Sequence, residues 1–169
     1  MNNKKTLEGI KGWLIIPAIE IIISIPSLCF YILTMIISAN KLGILSDLFS
    51  SRTSFYSIYT LIFSISQILC MGILTFFYFY LAYLFFSKDY RTPKWYIVVQ
   101  LFDIIISIIF YILFVFGLSL FSYSNESEII ISLVCSVIWI VYFLTSVRVK
   151  NTFINNKPDY MNIVEKIIE

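Results

Sequence analysis

The chain has no histidine, and its acidic and basic residues together fill only 13% of 169 positions, about half the share usual in soluble domains, roughly 25%. Without histidine it lacks the commonest metal ligand and the side chain best suited to proton transfer near neutral pH. The three cysteines, Cys29, Cys70 and Cys135, show no Cys-x-x-Cys spacing, so neither a zinc site nor a disulfide framework is expected. They read as small buried hydrophobes. The five glycines are scattered, forming neither a phosphate-cradling loop nor a Gly-x-Ser-x-Gly nucleophile turn. No catalytic residue, cofactor or metal is therefore expected, and the chain reads as a non-enzyme. A net charge of +2 without a basic run gives no nucleic-acid footprint.

What the chain does have is apolar sequence. Hydrophobic residues make up 60% of it, and its mean hydropathy is +0.91. They fall in four runs, about 13–37, 57–86, 95–120 and 129–147, each near the roughly 20 residues that a helix needs to cross about 30 Å of hydrocarbon. In lipid every backbone N–H and C=O needs an internal partner, which leaves helices or closed barrels. Continuous apolar runs choose helices, because barrel strands alternate apolar and polar residues. The basic start, Lys4, Lys5 and Lys11, resembles a signal peptide, but the run that follows is too long for one and no small-residue cleavage site succeeds it. The expected fold is an all-α membrane protein, one domain built as a bundle of four transmembrane helices. Tyr160, Ile163, Val164, Ile167 and Ile168 then follow helical spacing, predicting a short amphipathic tail helix over 159–169 on the membrane surface.

The basic residues give the orientation. Ten of the twelve (Lys4, Lys5, Lys11, Lys88, Arg91, Lys94, Arg148, Lys150, Lys157, Lys166) lie at the termini or in the second connection, and Lys41 and Arg52 lie in the first. The positive-inside rule then predicts both termini in the cytoplasm. Trp13, Trp95 and Tyr96 are expected to mark that interface.

Two acids interrupt the apolar runs, Glu20 and Asp103. An acid at a helix centre costs about 3 kcal/mol on insertion, so it is expected to face the bundle interior with polar company. Helical spacing supplies it: Pro17, Glu20, Ser24, Ser27, Tyr31 and Thr34 share one face of the first helix, and Tyr96, Gln100, Asp103, Ser107 and Tyr111 one face of the third. Gln67 in the second helix and Ser132, Ser136, Trp139 and Tyr142 in the fourth complete a polar seam. Glu20, Asp103, Gln67 and Gln100 are thus the candidate intramembrane polar site. Glu20 and Asp103, about 10 and 12 Å deep at 1.5 Å per residue, are expected at one level. Two roles remain open: hydrogen-bonded glue between helices, with both acids neutral, or a proton or cation path. Pro17 and Pro26 are each expected to bend the first helix.

Three stretches carry a family resemblance: Gly9-Ile-Lys-Gly-Trp-Leu, the turn from Phe85-Phe86 to Arg91-Thr-Pro93, and Ile138-Trp-Ile-Val-Tyr-Phe-Leu-Thr-Ser-Val-Arg-Val-Lys-Asn-Thr-Phe153. Over about Leu7 to Ile154 the chain resembles the YdgK-like bacterial inner-membrane family, a domain of unknown function (family 2569). It departs at Lys11, where the family tends to have glycine, and at Val141, where it tends to have proline. The resemblance implies a four-helix protein of the bacterial plasma membrane and brings no substrate or catalytic residue. Arg148, Lys150 and Phe153 are candidate contacts for anionic lipid or a partner, with Phe153 as an interfacial anchor.

The expected function is that of a non-catalytic accessory or interaction protein. Its partners would be the bilayer together with another membrane protein or a second copy, and no nucleic acid. The alternative is a small transporter or channel subunit using the two acids. The orientation is checked by thiol labelling in intact cells on a cysteine-free background. A cysteine at Ser50 should label from outside while cysteines at Asn3 and Asn156 stay protected, and the reverse pattern would invert the topology.

Overall fold

The computed structural model describes residues 9–41, 55–116 and 126–156. Among the described residues are four long α-helices and one short one: α1 (Ile15–Lys41), α2 (Phe55–Phe86), α3 (Thr92–Val115), α4 (Glu126–Thr145) and α5 (Val147–Thr152). Among the described residues there is no strand, only an isolated bridge between Asp89 and Asn155. The spans Gly12–Lys41, Ile62–Phe86 and Thr92–Val115 are long and apolar enough to cross a membrane. The apolar part of α4 is shorter, Ile129–Thr145, yet the 20 residues of the whole helix extend about 30 Å. The protein is an all-α membrane bundle. The tail expected over 159–169 lies outside the described residues.

Consecutive helices pack side by side, α1 on α2, α2 on α3 and α3 on α4, whereas α1 and α4 are not closely packed. Their outer faces expose Ile, Leu, Val and Phe in number, among them Ile23, Phe30, Leu69, Phe76, Ile105 and Ile138, the inverse of a soluble protein and the surface that lipid requires. Cys29 and Cys135 are on this exposed surface and Cys70 is half-buried, which corrects the expectation that all three are buried. A thiol is apolar enough for lipid to tolerate it. The core runs through Ile21, Met71, Leu74, Leu81, Phe85, Tyr96 and Val99, all with essentially no exposed surface.

Helix limits differ from the apolar runs where local hydrogen bonding decides them. The first helix is entered through a 3-10 turn, Gly12–Leu14, so Pro17 falls in the first turn of α1, where a missing N–H breaks no bond. Pro26 alone lies in the interior and withdraws the donor due to the carbonyl four residues back. The third helix begins earlier than expected because the α2–α3 turn is itself ordered. Lys88 takes a left-handed φ of 55°, and the N–H groups of Lys88 and Asp89 return to the carbonyls of Phe85 and Leu84 at 3.2 and 3.0 Å, a Schellman ending to α2. The Thr92 hydroxyl then donates to the carbonyls of Asp89 (2.8 Å) and Leu84 (3.0 Å). Helix α4 runs unbroken through Val141 and stops at Ser146, whose ψ of 121° turns the chain across the end of the bundle as α5.

Helix α5 is amphipathic in miniature. Val149, Thr152 and Phe153 are buried while Lys150 and Asn151 face outward. Phe153 is 4% exposed, with its ring 5.2 Å from Phe85 and 6.3 Å from Phe143. This overturns its expected role as an interfacial anchor: the helix break at Ser146 swings it beneath the bundle instead of toward lipid. Phe153→Ala should therefore cost about 3 kcal/mol, as for an aromatic removed from a core, read as unfolding free energy in detergent micelles. A loss below about 0.5 kcal/mol, the usual size for a surface site, would restore the anchor.

Candidate functional site

The seam between the helices holds two separate polar features. The first is centred on Glu20 of α1. One carboxyl oxygen accepts from the Tyr96 hydroxyl at 2.8 Å and the other from the Gln100 amide. The same amide group also reaches the Tyr96 hydroxyl at 3.2 Å. Gln100 in turn accepts from the Ser136 hydroxyl of α4 at 2.8 Å. One acid thus ties α1 to α3 and, through a glutamine, α3 to α4. Tyr96 and Gln100 stand one turn apart on α3 and so converge on the same carboxyl. Tyr96 is fully buried and its ring stacks on Phe143 at 4.1 Å, so it is not the interfacial marker expected from sequence. Trp95 is half-buried, edge-on to Phe77 and Tyr80 at 6.0 and 5.1 Å.

The second feature is a cavity of about 360 Å³ between α1, α3 and α4, with Asp103, Ser24, Ser27, Tyr31, Ser107 and Ser132 on its wall. Tyr78 of α2 also reaches it. Glu20 does not line it. Asp103 is one turn beyond Gln100, about 4.5 Å further along the axis, so the two acids occupy successive levels rather than the single level expected. Gln67 is fully buried and donates to the Tyr31 hydroxyl at 3.1 Å, joining α2 to α1 behind the cavity. Of the four intramembrane candidates, the structure brings Glu20 and Gln100 into contact and sets Asp103 and Gln67 apart. Among the described residues no group of three or more acids and cysteines could hold a metal ion.

A third arrangement closes the end of the bundle where α1 starts, α2 turns into α3 and α4 gives way to α5. Gly12 has φ of 60°, and a β-carbon there would meet the Arg148 guanidinium at 3.4 Å. The left-handed backbone at Gly12 favours glycine, and the Arg148 guanidinium lies against this turn, donating to the Lys11 carbonyl at 2.8 Å. The Thr152 hydroxyl reaches the Gly9 carbonyl at 3.4 Å. Asn155 pairs with the α2–α3 turn: Tyr90 N–H donates to its carbonyl (3.0 Å), its N–H donates to the Lys88 carbonyl (3.1 Å), and its side chain donates to the Ser87 carbonyl (2.7 Å). The Asn156 amide donates to one Asp89 carboxyl oxygen at 2.9 Å, and the other accepts from Arg91 N–H at 2.9 Å. Arg148 is thus a structural strut, Lys150 is exposed, and Phe153 is core.

Gly9 to Leu14, Phe85 to Pro93 and Ser146 to Phe153 therefore meet in one cap although they lie far apart in sequence. The first two, and the end of the Ile138–Phe153 stretch, carry the resemblance, and a protein family described as a protein of unknown function (DUF2569) matches residues 7–154. The chain belongs to the DUF2569 family. No curated protein and no solved structure matches it. In this DUF2569 member the cap joins the three stretches through Arg148 on the Lys11 carbonyl and Phe153 on Phe85.

Sequence reasoning placed Tyr96 and Ser136 on polar stripes but did not join them to Glu20, and it missed Tyr78, Asp89, Asn155 and Asn156 altogether. Asp89 followed two residues later by Arg91 is a local turn signal; the pairing with Asn155 leaves none. The Glu20 network is testable by removing its acceptor. Glu20→Leu strands the Tyr96 hydroxyl and the Gln100 amide and should cost about 2–3 kcal/mol, whereas Glu20→Gln keeps one acceptor and should cost less than half as much. Unfolding free energies in bicelles decide this, and a leucine variant as stable as the parent would show the network to be dispensable.

Proposed function

We propose that this DUF2569 protein is a non-catalytic accessory protein of the bacterial plasma membrane, with both termini in the cytoplasm, and that the cap is the face it offers to a partner membrane protein. The observation that carries this reading is the charge of the cap. Lys11, Lys88, Arg91, Lys94 and Lys150 are all exposed at that end. Asp89, the one acid there among the described residues, is 6% exposed and engaged by Asn156 and Arg91. The outward field is therefore positive, as the positive-inside rule requires of a cytoplasmic face. It suits an acidic cytoplasmic loop on a partner.

The second reading, a small transporter or channel subunit, draws on the cavity at Asp103. Against it, Glu20 lies off the cavity wall with its carboxyl held by Tyr96 and Gln100. A conducting path through both acids would have to break that network.

The two are separated by comparing the parent with a Lys88→Glu, Lys94→Glu, Lys150→Glu variant purified in native-lipid nanodiscs after cross-linking. The accessory reading expects one stoichiometric membrane protein with the parent and about tenfold less with the variant, equivalent to about 1.4 kcal/mol of binding, at unchanged thermal stability. A parent that carries no protein partner, together with cation flux in reconstituted vesicles that Asp103→Asn abolishes, would favour transport.

A further inference from the structure

The cavity between α1, α3 and α4 is lined by hydroxyl groups whose directions are not arbitrary. A hydroxyl has one proton to donate and two lone pairs to accept with. The Ser24, Ser27 and Ser107 hydroxyls each donate that proton to the carbonyl four residues back on their own helix, Glu20, Ile23 and Asp103, all at 2.8 Å. What these serines turn toward the cavity is lone pairs. The Tyr31 oxygen accepts from Gln67 and keeps its own proton to donate, and Asp103 adds a carboxyl group. The wall at Ser24, Ser27 and Ser107 is rich in acceptors and the cavity carries a single acid, while the rings of Tyr31 and Tyr78 and the side chains of Ile23, Leu28 and Ile104 supply apolar surface.

We infer that this cavity is a binding site for a small organic cation bearing an ammonium group. An ammonium has three N–H donors and no acceptor, the complement of the serine lone pairs and the Asp103 carboxyl, and tyrosine faces attract cations. The volume of about 360 Å³ falls in the range of small-molecule sites, about 300–1,000 Å³. A bare metal ion would need several oxygens closing to about 2.3–2.6 Å, and a cavity of this size with one carboxyl is too wide for that. Depth argues for a free amine over a lipid headgroup: Asp103 lies about 12 Å along the axis from Trp95, well inside the apolar span Thr92–Val115. The inference does not depend on the cap or its partner.

The test uses the full chain in nanodiscs, with cyclohexylammonium as probe and cyclohexanol as its neutral counterpart of the same shape. The amine should raise the melting temperature of the parent by several degrees in a saturable manner, and cyclohexanol should not. Asp103→Asn should weaken the apparent Kd for the amine about tenfold or more. Ser27→Phe, at an exposed position that also lines the cavity, should remove binding by filling the space, and it decides the matter if the asparagine variant does not fold. Lys41→Glu, exposed at the end of α1 and away from the cavity wall, should bind the amine as the parent does. An equal Kd in the parent and in either cavity variant, or a cyclohexanol shift matching that of the amine, would overturn the assignment.

Discussion

A carboxyl group carried into hydrocarbon has to find its hydrogen-bond donors inside the protein, and the way Glu20 does so organises this bundle. Tyr96 and Gln100 supply the donors from α3, and Gln100 passes the connection to Ser136 on α4. The helices thus linked include α1 and α3, which face one another across the bundle and share no close backbone packing. Lipid tails are as apolar as the side chains of the core, so the hydrophobic effect gives transmembrane helices little reason to choose each other. The polar contact supplies that choice.

From the same point an aromatic column runs to the end of the molecule. Tyr96 stacks on Phe143, Phe143 meets Phe153, and Phe153 meets Phe85. The Tyr96 ring is therefore held from both directions, by its hydroxyl within the membrane and by the stacked rings toward the cap. The cap itself is held by backbone pairing between the α2–α3 turn and Asn155 and by the arginine strut over Gly12. That end of the bundle is over-determined, while the α1–α4 side is loosely packed and contains the cavity. Dense hydrogen bonding at one end and unfilled space in the middle distinguish the two parts of the bundle.

The serines illustrate how a membrane helix can be polar without being unsatisfied. Ser24, Ser27 and Ser107 donate to their own backbone, a habit that bends helices slightly, and α1 adds Pro26 between the first two. A missing N–H and serine lone pairs coincide on the stretch of α1 that borders the cavity. This combination makes a cavity wall from residues that, taken singly, are ordinary membrane-helix constituents.

The sequence by itself determined that the chain lives in lipid, that it is helical, and which faces of the helices carry polar groups. Apolar run length and 3.6-residue spacing are local properties, and backbone satisfaction in hydrocarbon leaves helices as the form for such runs. It was also enough to select Glu20, Gln100, Asp103 and Gln67 as the positions of interest. Only the tertiary structure decided that Glu20 and Gln100 meet while Asp103 borders a cavity one turn away, because a polar stripe fixes direction around a helix and leaves rotation and offset against its neighbours free. The helix break at Ser146 reversed the reading of Phe153 and Arg148 for a related reason. Whether a residue just past a membrane helix meets lipid or protein depends on where the chain turns, and Phe153 turns inward because Phe85 and Phe143, distant in sequence, leave a place for its ring.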